Sequence, residues 1–333
     1  MTKPLTLTFA TYAYDRMRPL LDGRMAVEGC RIAPVVLTSE ELFPRVVQRA
    51  EFDVCEMSMS SYLKQTADGS AQYTAIPAFA SRAFRHDCIY VNADAGIEAP
   101  KDLEGKRVGV PEYQATICMW VRGFLQDDYG VDFRALKYRN GGINVPGRKE
   151  RLPLTLPDGI DVEPIPEGAT LDGLLARGEL DAVIAPQVLN CFAAGDARVR
   201  RLFEDPVAEA RAWHEKTGFF PIMHAIGIRT ALLEQHPGLA ARVFAALVEA
   251  RDAAYEELKR IAEYGSSTFM LPFFAAGLAE TRALMGDNWW SYGVAANRAE
   301  LEAMFRYSHE QHLSARLLTP EDAFAAETLD MAG

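Results

Sequence analysis

One stretch decides the fold class of this chain: Pro100-Lys101-Asp102-Leu103-Glu104-Gly105-Lys106-Arg107-Val108-Gly109-Val110. Its polar first half predicts a turn, and its apolar end predicts a short buried strand. Residues 112–126 follow as a predicted helix that is entered from a loop. Because strand followed by helix is the unit of a parallel sheet, this stretch predicts an α/β lobe.

The same alternation continues on the N-terminal side. Residues 5–8 alternate apolar and polar side chains, which predicts a first strand. Ser39 is predicted to be the N-cap of a helix with an acidic first turn that runs to about residue 50. Residues 52–57 predict a strand that turns into another helix, and residues 89–91 predict a further strand.

A second α/β unit and a helical region are predicted towards the C-terminus. Residues 171–185 read as a helix, a tight turn and a strand. Residues 139–166 are rich in Pro and Gly and predict a long loop or hairpin, a kind of segment that is often functional. After about residue 219 helical spacing dominates, with a break near residues 236–238. Asn297-x-x-Glu300 fits a capping box.

Composition excludes several classes of function. The 333 residues are 49% hydrophobic and 24% charged, enough for one large domain or two ordinary ones. No apolar run is long enough to span a bilayer, and the net charge of -11 disfavours nucleic acid as a partner. The five scattered cysteines form no CxxC pair, which favours a reducing compartment. Motifs for dinucleotides, nucleoside triphosphates and ester hydrolysis are absent.

Three segments resemble type II periplasmic binding proteins of the nitrate, sulfonate and taurine group: residues 102–109, 178–182 and 222–229. The resemblance implies a two-lobed α/β fold with mixed sheets and a ligand cleft between the lobes. It assigns 1–104 plus 218–333 to lobe 1, which has a helix-rich C-terminal part. It assigns 105–217 to lobe 2.

Further segments resemble the 4,5-dihydroxyphthalate decarboxylase family across nearly the whole chain. They are Phe84-Arg85-His86-Asp87-Cys88-Ile89-Tyr90-Val91, Val110-Pro111-Glu112-Tyr113-Gln114-Ala115-Thr116, Arg139-Asn140-Gly141-Gly142 and Trp289-Trp290-x-Tyr292-Gly293. The resemblance implies a carboxy-lyase of phthalate degradation that removes carbon dioxide from a dihydroxylated aromatic dicarboxylate. With 4,5-dihydroxyphthalate the product is protocatechuate. The exchange of carbon dioxide for a proton needs no redox cofactor.

This reaction requires an acid over the ring, a base near a phenol and a clamp for the retained carboxylate. We expect His86 to protonate the ring carbon, and Glu112 or His224 to take the phenol proton. If these three residues converge, they form a mixed N/O metal site. The expectation is a site without cofactors, with a divalent metal as the alternative.

Six residues are expected to bind the substrate. Arg82 and Arg85 precede a strand where a loop should reach the cleft, and a guanidinium matches a carboxylate in bidentate geometry. Tyr113, Gln114 and Thr116 lie between a strand and the start of a helix, where backbone N–H groups could bind an anion. Arg148 lies on the Pro/Gly-rich segment. The competing interpretations are a solvated loop for the arginines and a core position for His224.

Two other functions stay open. One is a non-catalytic protein that binds or senses an aromatic acid, and the other is a different enzyme on the same fold, of the chorismate-dehydrating or thiamine-pyrimidine-forming kind. A plain binder needs no proton donor beside its carboxylate clamp, which favours catalysis. The chain opens into a strand without an export signal, which predicts a cytoplasmic protein. The expected partner is a small aromatic carboxylate, without nucleic acid or membrane, and the helix-rich end is compatible with a homo-oligomer.

Overall fold

The computed structural model describes residues 3–264 and 269–333. These residues contain eleven strands: β1 Leu5–Thr11, β2 Cys30–Val36, β3 Val54–Ser58, β4 Tyr73–Arg82, β5 Ile89–Asn92, β6 Arg107–Val110, β7 Lys137–Asn140, β8 Asp161–Pro164, β9 Ala182–Ile184, β10 Val199–Arg201 and β11 Ile222–Arg229. They also contain twelve α-helices: α1 Arg18–Leu21, α2 Ser39–Arg49, α3 Met59–Ala67, α4 Thr116–Tyr129, α5 Leu171–Ala176, α6 Asn190–Ala193, α7 Pro206–Thr217, α8 Thr230–Gln235, α9 Leu239–Tyr264, α10 Phe274–Met285, α11 Arg298–Glu310 and α12 Pro320–Ala323.

The first sheet has the order β2-β1-β3-β11-β4. Strands β2, β1 and β3 are parallel, whereas β11 is antiparallel to both of its neighbours, β3 and β4. Strand β11, the last one in the described residues, therefore lies inside the sheet, and its His224 is in register with Ser58 of β3 and Ser81 of β4. This mixed pairing brings residues that are far apart in sequence to neighbouring positions.

The second sheet has the order β10-β5-β9-β6-β7-β8. Strands β9, β6, β7 and β8 are parallel, and β5 is antiparallel to β9 and β10. Because β5 belongs to this sheet, the chain passes from the first sheet to the second between Arg82 and Ile89, earlier than the predicted boundary at residue 104. It returns between Arg201 and Ile222. The division into lobes stays a prediction, and the strand pairing places its first boundary before residue 89 instead of at residue 104.

The helices α2 and α4 begin at different residues from those predicted. Thr38, not Ser39, is the N-cap of α2, because its side chain accepts from Glu41 and the Glu41 carboxylate accepts from the Thr38 N–H. Helix α4 begins at Thr116, after a turn in which the Ala115 N–H donates to the Glu112 carbonyl. Glu112 therefore lies in the connection that follows the carboxyl end of β6, rather than on the helix.

The Pro/Gly-rich segment is the connection between β7 and β8, which are parallel and so do not form a hairpin. Gly142 near its start allows a close backbone approach, because an added Cβ would lie 1.8 Å from the Val145 carbonyl oxygen. The Gly142 carbonyl accepts from the Leu171 N–H at the start of α5. The connection is thus anchored at its first turn, and its following residues extend towards α2.

A buried ion pair holds the segment before β11, where the chain returns to the first sheet. Arg82 donates to the Phe220 carbonyl, to Asn297 and to Glu300, whose nearest carboxylate oxygen is 3.1 Å away. Glu300 in turn accepts the N–H groups of Phe220, at 3.2 Å, and Ile222, at 2.7 Å. The predicted capping box of Asn297 and Glu300 is wrong, because both side chains bond to these distant partners instead.

Candidate active site

A cavity of about 650 Å³ opens between α2 and the β7–β8 connection. Glu40, Pro44 and Gln48 line it from α2, while Glu112 and residues 142–151 line it from the other side. The cavity therefore lies between a helix that follows the first sheet's β2 and connections that belong to the second sheet. This is the position expected for a ligand cleft in a two-lobed fold.

A cluster of two arginines and one carboxylate forms a wall of this cavity. Glu112 Oε1 accepts from Arg148 Nη2 and from Arg151 Nη2, each at 2.8 Å, and its Oε2 accepts the Arg151 N–H at 3.1 Å. Arg148 Nη1 also lies 3.8 Å from Glu40 across the cavity. Within the cluster two guanidinium groups share one carboxylate, and the other charged residues that line the cavity are Glu40, Lys149 and Glu150. The two guanidinium groups are the ones that suit a carboxylate ligand.

A histidine–carboxylate pair lies on the first sheet. His224 Nδ1 is 2.6 Å from Glu56 Oε1, which also accepts from the Tyr14 hydroxyl at 2.7 Å. Glu56 Oε2 accepts from Thr11 Oγ1 at 2.9 Å and from the Tyr12 N–H at 3.1 Å. The side chain of Glu56 is fully buried, and that of His224 is partly exposed. The carboxylate thus has four hydrogen-bonding partners.

The electrostatics of this pair determine how its protons are placed. Burial raises the pKa of Glu56, but the hydrogen bond and positive charge of His224 and the bonds from Tyr14 and Tyr12 outweigh it, leaving this pKa below its usual range. Burial, followed by the charge of Glu56, raises the pKa of Tyr14 far above normal. Glu56 is therefore ionised and accepts from Nδ1, which leaves Nε2 of His224 as the nitrogen that can exchange a proton.

The ring of Phe43 connects the two groups. It packs edge-on against His224 with ring centroids 4.8 Å apart, and the Arg151 guanidinium lies 5.2 Å from its centroid. The histidine pair and the arginine cluster are therefore neighbours on one aromatic ring. Together, His224, Glu56, Phe43, Glu112, Arg148 and Arg151 are called the candidate site below.

Arg85 contacts the residue that precedes His224 in β11. Its Nε lies 3.4 Å from the sulfur of Met223, the residue before His224 in β11. Within residues 3–264 and 269–333 it has no ion pair, and burial lowers its pKa. A partly buried guanidinium without a carboxylate partner among these residues can bind an anionic ligand, and the role of Arg85 in substrate binding stays a prediction.

Arg148 lies at the cavity, whereas the four remaining predicted substrate-binding residues serve the protein's own structure. Arg82 is engaged by the buried network described above. The Tyr113 ring is fully buried, with the Arg122 guanidinium 3.9 Å from its centroid. Gln114 donates to Glu150 and to the Leu152 carbonyl, and Thr116 Oγ1 bonds Ser58 Oγ at 2.9 Å. These contacts correct the expectation that the four side chains face the substrate, although Gln114 positions the loop that carries Arg151.

His86 lies apart from the candidate site. Its ring is 1% exposed and stacks on Phe124 at 4.6 Å, with Phe203 and Trp213 each at 5.5 Å. Burial lowers the pKa of His86 to about 4, so the ring is neutral at neutral pH. This placement argues against the predicted role of His86 as the acid over the substrate ring, because a neutral, enclosed imidazole is a poor proton donor.

The predicted metal alternative is not formed. His86 contacts aromatic rings, Glu112 contacts two arginines and His224 contacts Glu56. Among the residues that the structure describes, no group of three or more His, Cys, Asp or Glu side chains is arranged to hold a metal ion. The three side chains therefore do not converge as a mixed N/O site requires.

Two residues of the site were missed in the sequence. Glu56 interrupts the apolar strand Val54-Cys55-Glu56-Met57, and a carboxylate in a strand that is otherwise buried was the available signal. Phe43 carried no signal, since an aromatic residue on an amphipathic helix is ordinary core material. Arg151 follows the predicted binding residue Arg148 by three positions, and its charge on the Pro/Gly-rich segment was the available signal.

Comparison with known proteins identifies the family. A 4,5-dihydroxyphthalate decarboxylase from Comamonas testosteroni is 42% identical over 326 residues, which cover 98% of each protein. The chain belongs to the 4,5-dihydroxyphthalate decarboxylase family. A protein of the same name from Pseudomonas putida is 44% identical over 215 residues, 65% of this chain and 83% of that relative. No protein-family model matches the chain.

Solved structures confirm the fold predicted for this decarboxylase family member. The aliphatic sulphonate-binding protein SsuA from Escherichia coli superposes with a TM-score of 0.55 at 12% identity, over 98% of this chain and 100% of that one. Protein AF1704 from Archaeoglobus fulgidus gives 0.53 at 15% identity, over 92% and 98%. The fold is the two-lobed α/β fold of periplasmic binding proteins. In the described part of the chain, no helix combines the length and apolar character needed to cross a membrane.

Proposed function

We propose that this protein is a carboxy-lyase that converts 4,5-dihydroxyphthalate to protocatechuate and carbon dioxide in phthalate degradation. The observation that carries the proposal is the 2.6 Å contact of His224 Nδ1 with the buried, ionised Glu56, next to arginines that border a 650 Å³ cavity. A protein that only binds an aromatic acid needs the arginines, but it has no use for a carboxylate that orients a histidine.

The positive side chains hold the two substrate carboxylates. Arg151 is nearly buried, bonds to Glu112 and lies 5.2 Å from the ring centroid of Phe43, so its guanidinium is held in position. Arg148 is more exposed and lies at the cavity wall. In this proposal the retained carboxylate binds Arg151 and Arg148, and Arg85 attracts the substrate's remaining charge. Glu112 acts as the counter-ion that keeps the two arginines together before substrate arrives, rather than as the base.

His224 supplies the proton. Its imidazolium, with Nδ1–H donated to Glu56, transfers the Nε2 proton to the ring carbon that bears the leaving carboxylate. The para hydroxyl of the substrate donates electron density into the ring during this step. The carbon–carbon bond then breaks, its electron pair restores the aromatic ring, and carbon dioxide leaves. Neutral His224 regains a proton from solvent, and the negative charge of Glu56 stabilises the imidazolium that forms.

The route uses no cofactor, and we also propose that the protein works in the cytoplasm. All five cysteines are free thiols, and three of them are buried. Thiols that fit within the core without pairing suit a reducing compartment. Fractionation of the producing cell tests this: the protein should appear with cytosolic markers, and recovery with periplasmic markers would contradict the assignment.

The experiment that tests the reaction measures carbon dioxide and protocatechuate from purified protein and 4,5-dihydroxyphthalate. His224→Asn should lower kcat by about 10²–10⁴-fold, the usual contribution of a general acid, with a small change in KM. His312→Asn is the matched control, because His312 is exposed and adopts a φ of 58° that Asn tolerates.

Three outcomes would change the proposal. Normal turnover by His224→Asn would assign the acid to another residue. Saturable binding without turnover by the wild type would favour an aromatic-acid binding protein. Loss of turnover after chelation, with recovery on adding a divalent ion, would require a metal that the arrangement of the described carboxylates and histidines does not suggest.

A further inference from the structure

The carboxylate oxygen that orients His224 has a second partner, to which the proposed reaction assigns no role. Glu56 Oε1 lies 2.6 Å from His224 Nδ1 and also accepts the Tyr14 hydroxyl at 2.7 Å. Tyr14 follows β1, whereas Glu56 lies in β3 and His224 in β11, so three parts of the first sheet meet at this one atom. Because two donors share the negative charge of Oε1, the strength of its bond to His224 depends on Tyr14.

Tyr14 is a constant donor in this arrangement. Burial raises its pKa far above normal, and the negative charge of Glu56 adds to this effect, so the hydroxyl stays protonated. A protonated phenol can donate to the ionised carboxylate but cannot take up the proton of the imidazolium. The hydroxyl therefore affects His224 only through the oxygen that both groups contact.

An arginine holds the Tyr14 ring in position. The guanidinium of Arg16 lies 4.3 Å from the ring centroid of Tyr14 and 3.7 Å from that of Trp290. It also donates to the Ala80 carbonyl, from Nε at 3.0 Å and from Nη2 at 2.5 Å. Ala80 belongs to β4, which pairs with β11. Tyr14 is thus fixed to the strand beside His224, and Trp290, from a segment that carries the family resemblance, contributes to this contact.

We infer that Tyr14 is a positioning residue for the proposed decarboxylation and keeps the His224 imidazolium acidic enough to protonate the substrate ring. Glu56 stabilises the imidazolium, and the hydroxyl of Tyr14 limits this stabilisation by bonding to the same oxygen. A general acid works best when it is both protonated and ready to release its proton at the working pH. The inference rests on the proposed function, because it takes His224 as the acid.

Tyr14→Phe tests the inference, because it removes the hydroxyl and keeps the ring beside Arg16. In an NMR titration of the full chain, the His224 ring, assigned by its absence from His224→Asn, should titrate about 0.5–1 pH unit higher than in wild type. The decline of kcat at high pH should move upward by the same amount, because His224 stays protonated longer. The plateau of kcat at low pH should fall about three- to tenfold with KM unchanged, because the imidazolium is a weaker acid.

The surrounding charges are the same in wild type and Tyr14→Phe, so a shift can be assigned to the hydroxyl. The charged side chains that contact the pair or its neighbours are Arg16 with its partner Asp15, Arg85 and Arg151. Arg16→Lys keeps the positive charge but loses the planar group that lies between two rings, so it should move the His224 titration in the same direction as Tyr14→Phe.

Tyr73→Phe is the matched control. Tyr73 is a buried tyrosine at the other end of β4, and its hydroxyl donates to the Phe52 carbonyl at 2.9 Å. This variant should lose stability, but it should keep the His224 titration and the kcat plateau of wild type. Circular dichroism confirms that each variant is folded before titration.

The inference is overturned if Tyr14→Phe leaves the His224 titration unchanged, or if Tyr73→Phe shifts it as much. A shifted titration with an unchanged kcat plateau and pH profile would also overturn the role of Tyr14 in the reaction. The titration needs no substrate, so it separates this inference from the proposed function. A shift in a protein that shows no turnover would support the effect of Tyr14 on His224 and contradict only the proposed decarboxylation.

Discussion

Replacing Glu56 by Gln tests the centre of the proposed site with a minimal change in shape. Glu56 Oε1 accepts from His224 and Tyr14, and Oε2 accepts from Thr11 and the Tyr12 N–H. An amide has one acceptor oxygen and one NH₂ group. Whichever position the NH₂ group takes, two of the four donors lose their acceptor, and the negative charge beside His224 disappears.

Both consequences can be given a magnitude. A hydrogen bond to a charged group contributes about 1.5–3 kcal/mol, and about 1.4 kcal/mol corresponds to a tenfold change in rate. Losing the stabilised imidazolium of His224 should therefore lower kcat by about 10- to 150-fold. The two donors left without an acceptor should lower the free energy of unfolding by about 2–6 kcal/mol.

The assay must separate these two effects. Initial rates of protocatechuate formation are measured at 25 °C, and the folded fraction is determined by circular dichroism in the same buffer. Glu300→Gln is the matched control, because Glu300 is an equally buried carboxylate that bonds to Arg82 and the backbone N–H of Ile222, outside the candidate site. It should lose stability and keep kcat within about threefold per folded molecule.

The reasoning is refuted if Glu56→Gln keeps kcat within threefold of wild type once the folded fraction is taken into account. It is also refuted if Glu300→Gln loses as much kcat as Glu56→Gln, since the loss would then reflect general destabilisation. A parallel loss of stability without a loss of kcat would leave Glu56 as a structural residue, and the proton would have to come from another group.

Three further predictions follow from other parts of the structure. His86→Phe should weaken the pH dependence of the free energy of unfolding. The pKa of His86 is about 4 in the folded protein and near 6.5 in the unfolded chain, so this residue lowers the stability of the wild type by about 3 kcal/mol as the pH falls from 6.5 to 4. Urea unfolding that gives the same pH dependence for the variant and the wild type would contradict this. Arg151→Lys should raise KM about tenfold with less effect on kcat, because a lysine cannot bond Glu112 and contact Phe43 in the same way. A change in kcat alone would argue against the role of Arg151 in binding the substrate carboxylate. Gly142→Ala should raise KM and speed proteolysis of the β7–β8 connection, because the added Cβ would clash with the Val145 carbonyl. Gly159→Ala lies in the same connection but meets open space, so it should do neither. Equal behaviour of the two variants would contradict the close approach at Gly142.

Local features of the fold could be predicted from the sequence. The break near residues 236–238 falls between α8 and α9, because a proline lacks an N–H group and fixes its φ angle. The strands around residues 52–57 and 89–91 are also found close to their predicted positions. The sheet to which each strand belongs could not be predicted, because pairing such as β5 with β9 depends on contacts between residues that are distant in the chain.

The same limit explains the mixed outcome at the site. His224 could be proposed from its position in the return strand, but its partner Glu56 lies 168 residues earlier. Arg82 looked suited to a substrate carboxylate, and the sequence contains no sign that Glu300, 218 residues later, already neutralises it. Residue type indicates which chemistry a side chain can perform, whereas only tertiary contacts show whether that capacity is already used.

The position of β11 has a consequence for how the protein is made. Strands β5 to β10 are all synthesised by residue 201, so the second sheet has its complete set of strands while the ribosome is still adding the remainder. The first sheet cannot close until β11 enters between β3 and β4, and β11 carries His224. A nascent chain that stops before residue 222 therefore has the arginine cluster but lacks His224, the proposed proton donor. In the proposed mechanism, catalytic competence is delayed until β11 is inserted.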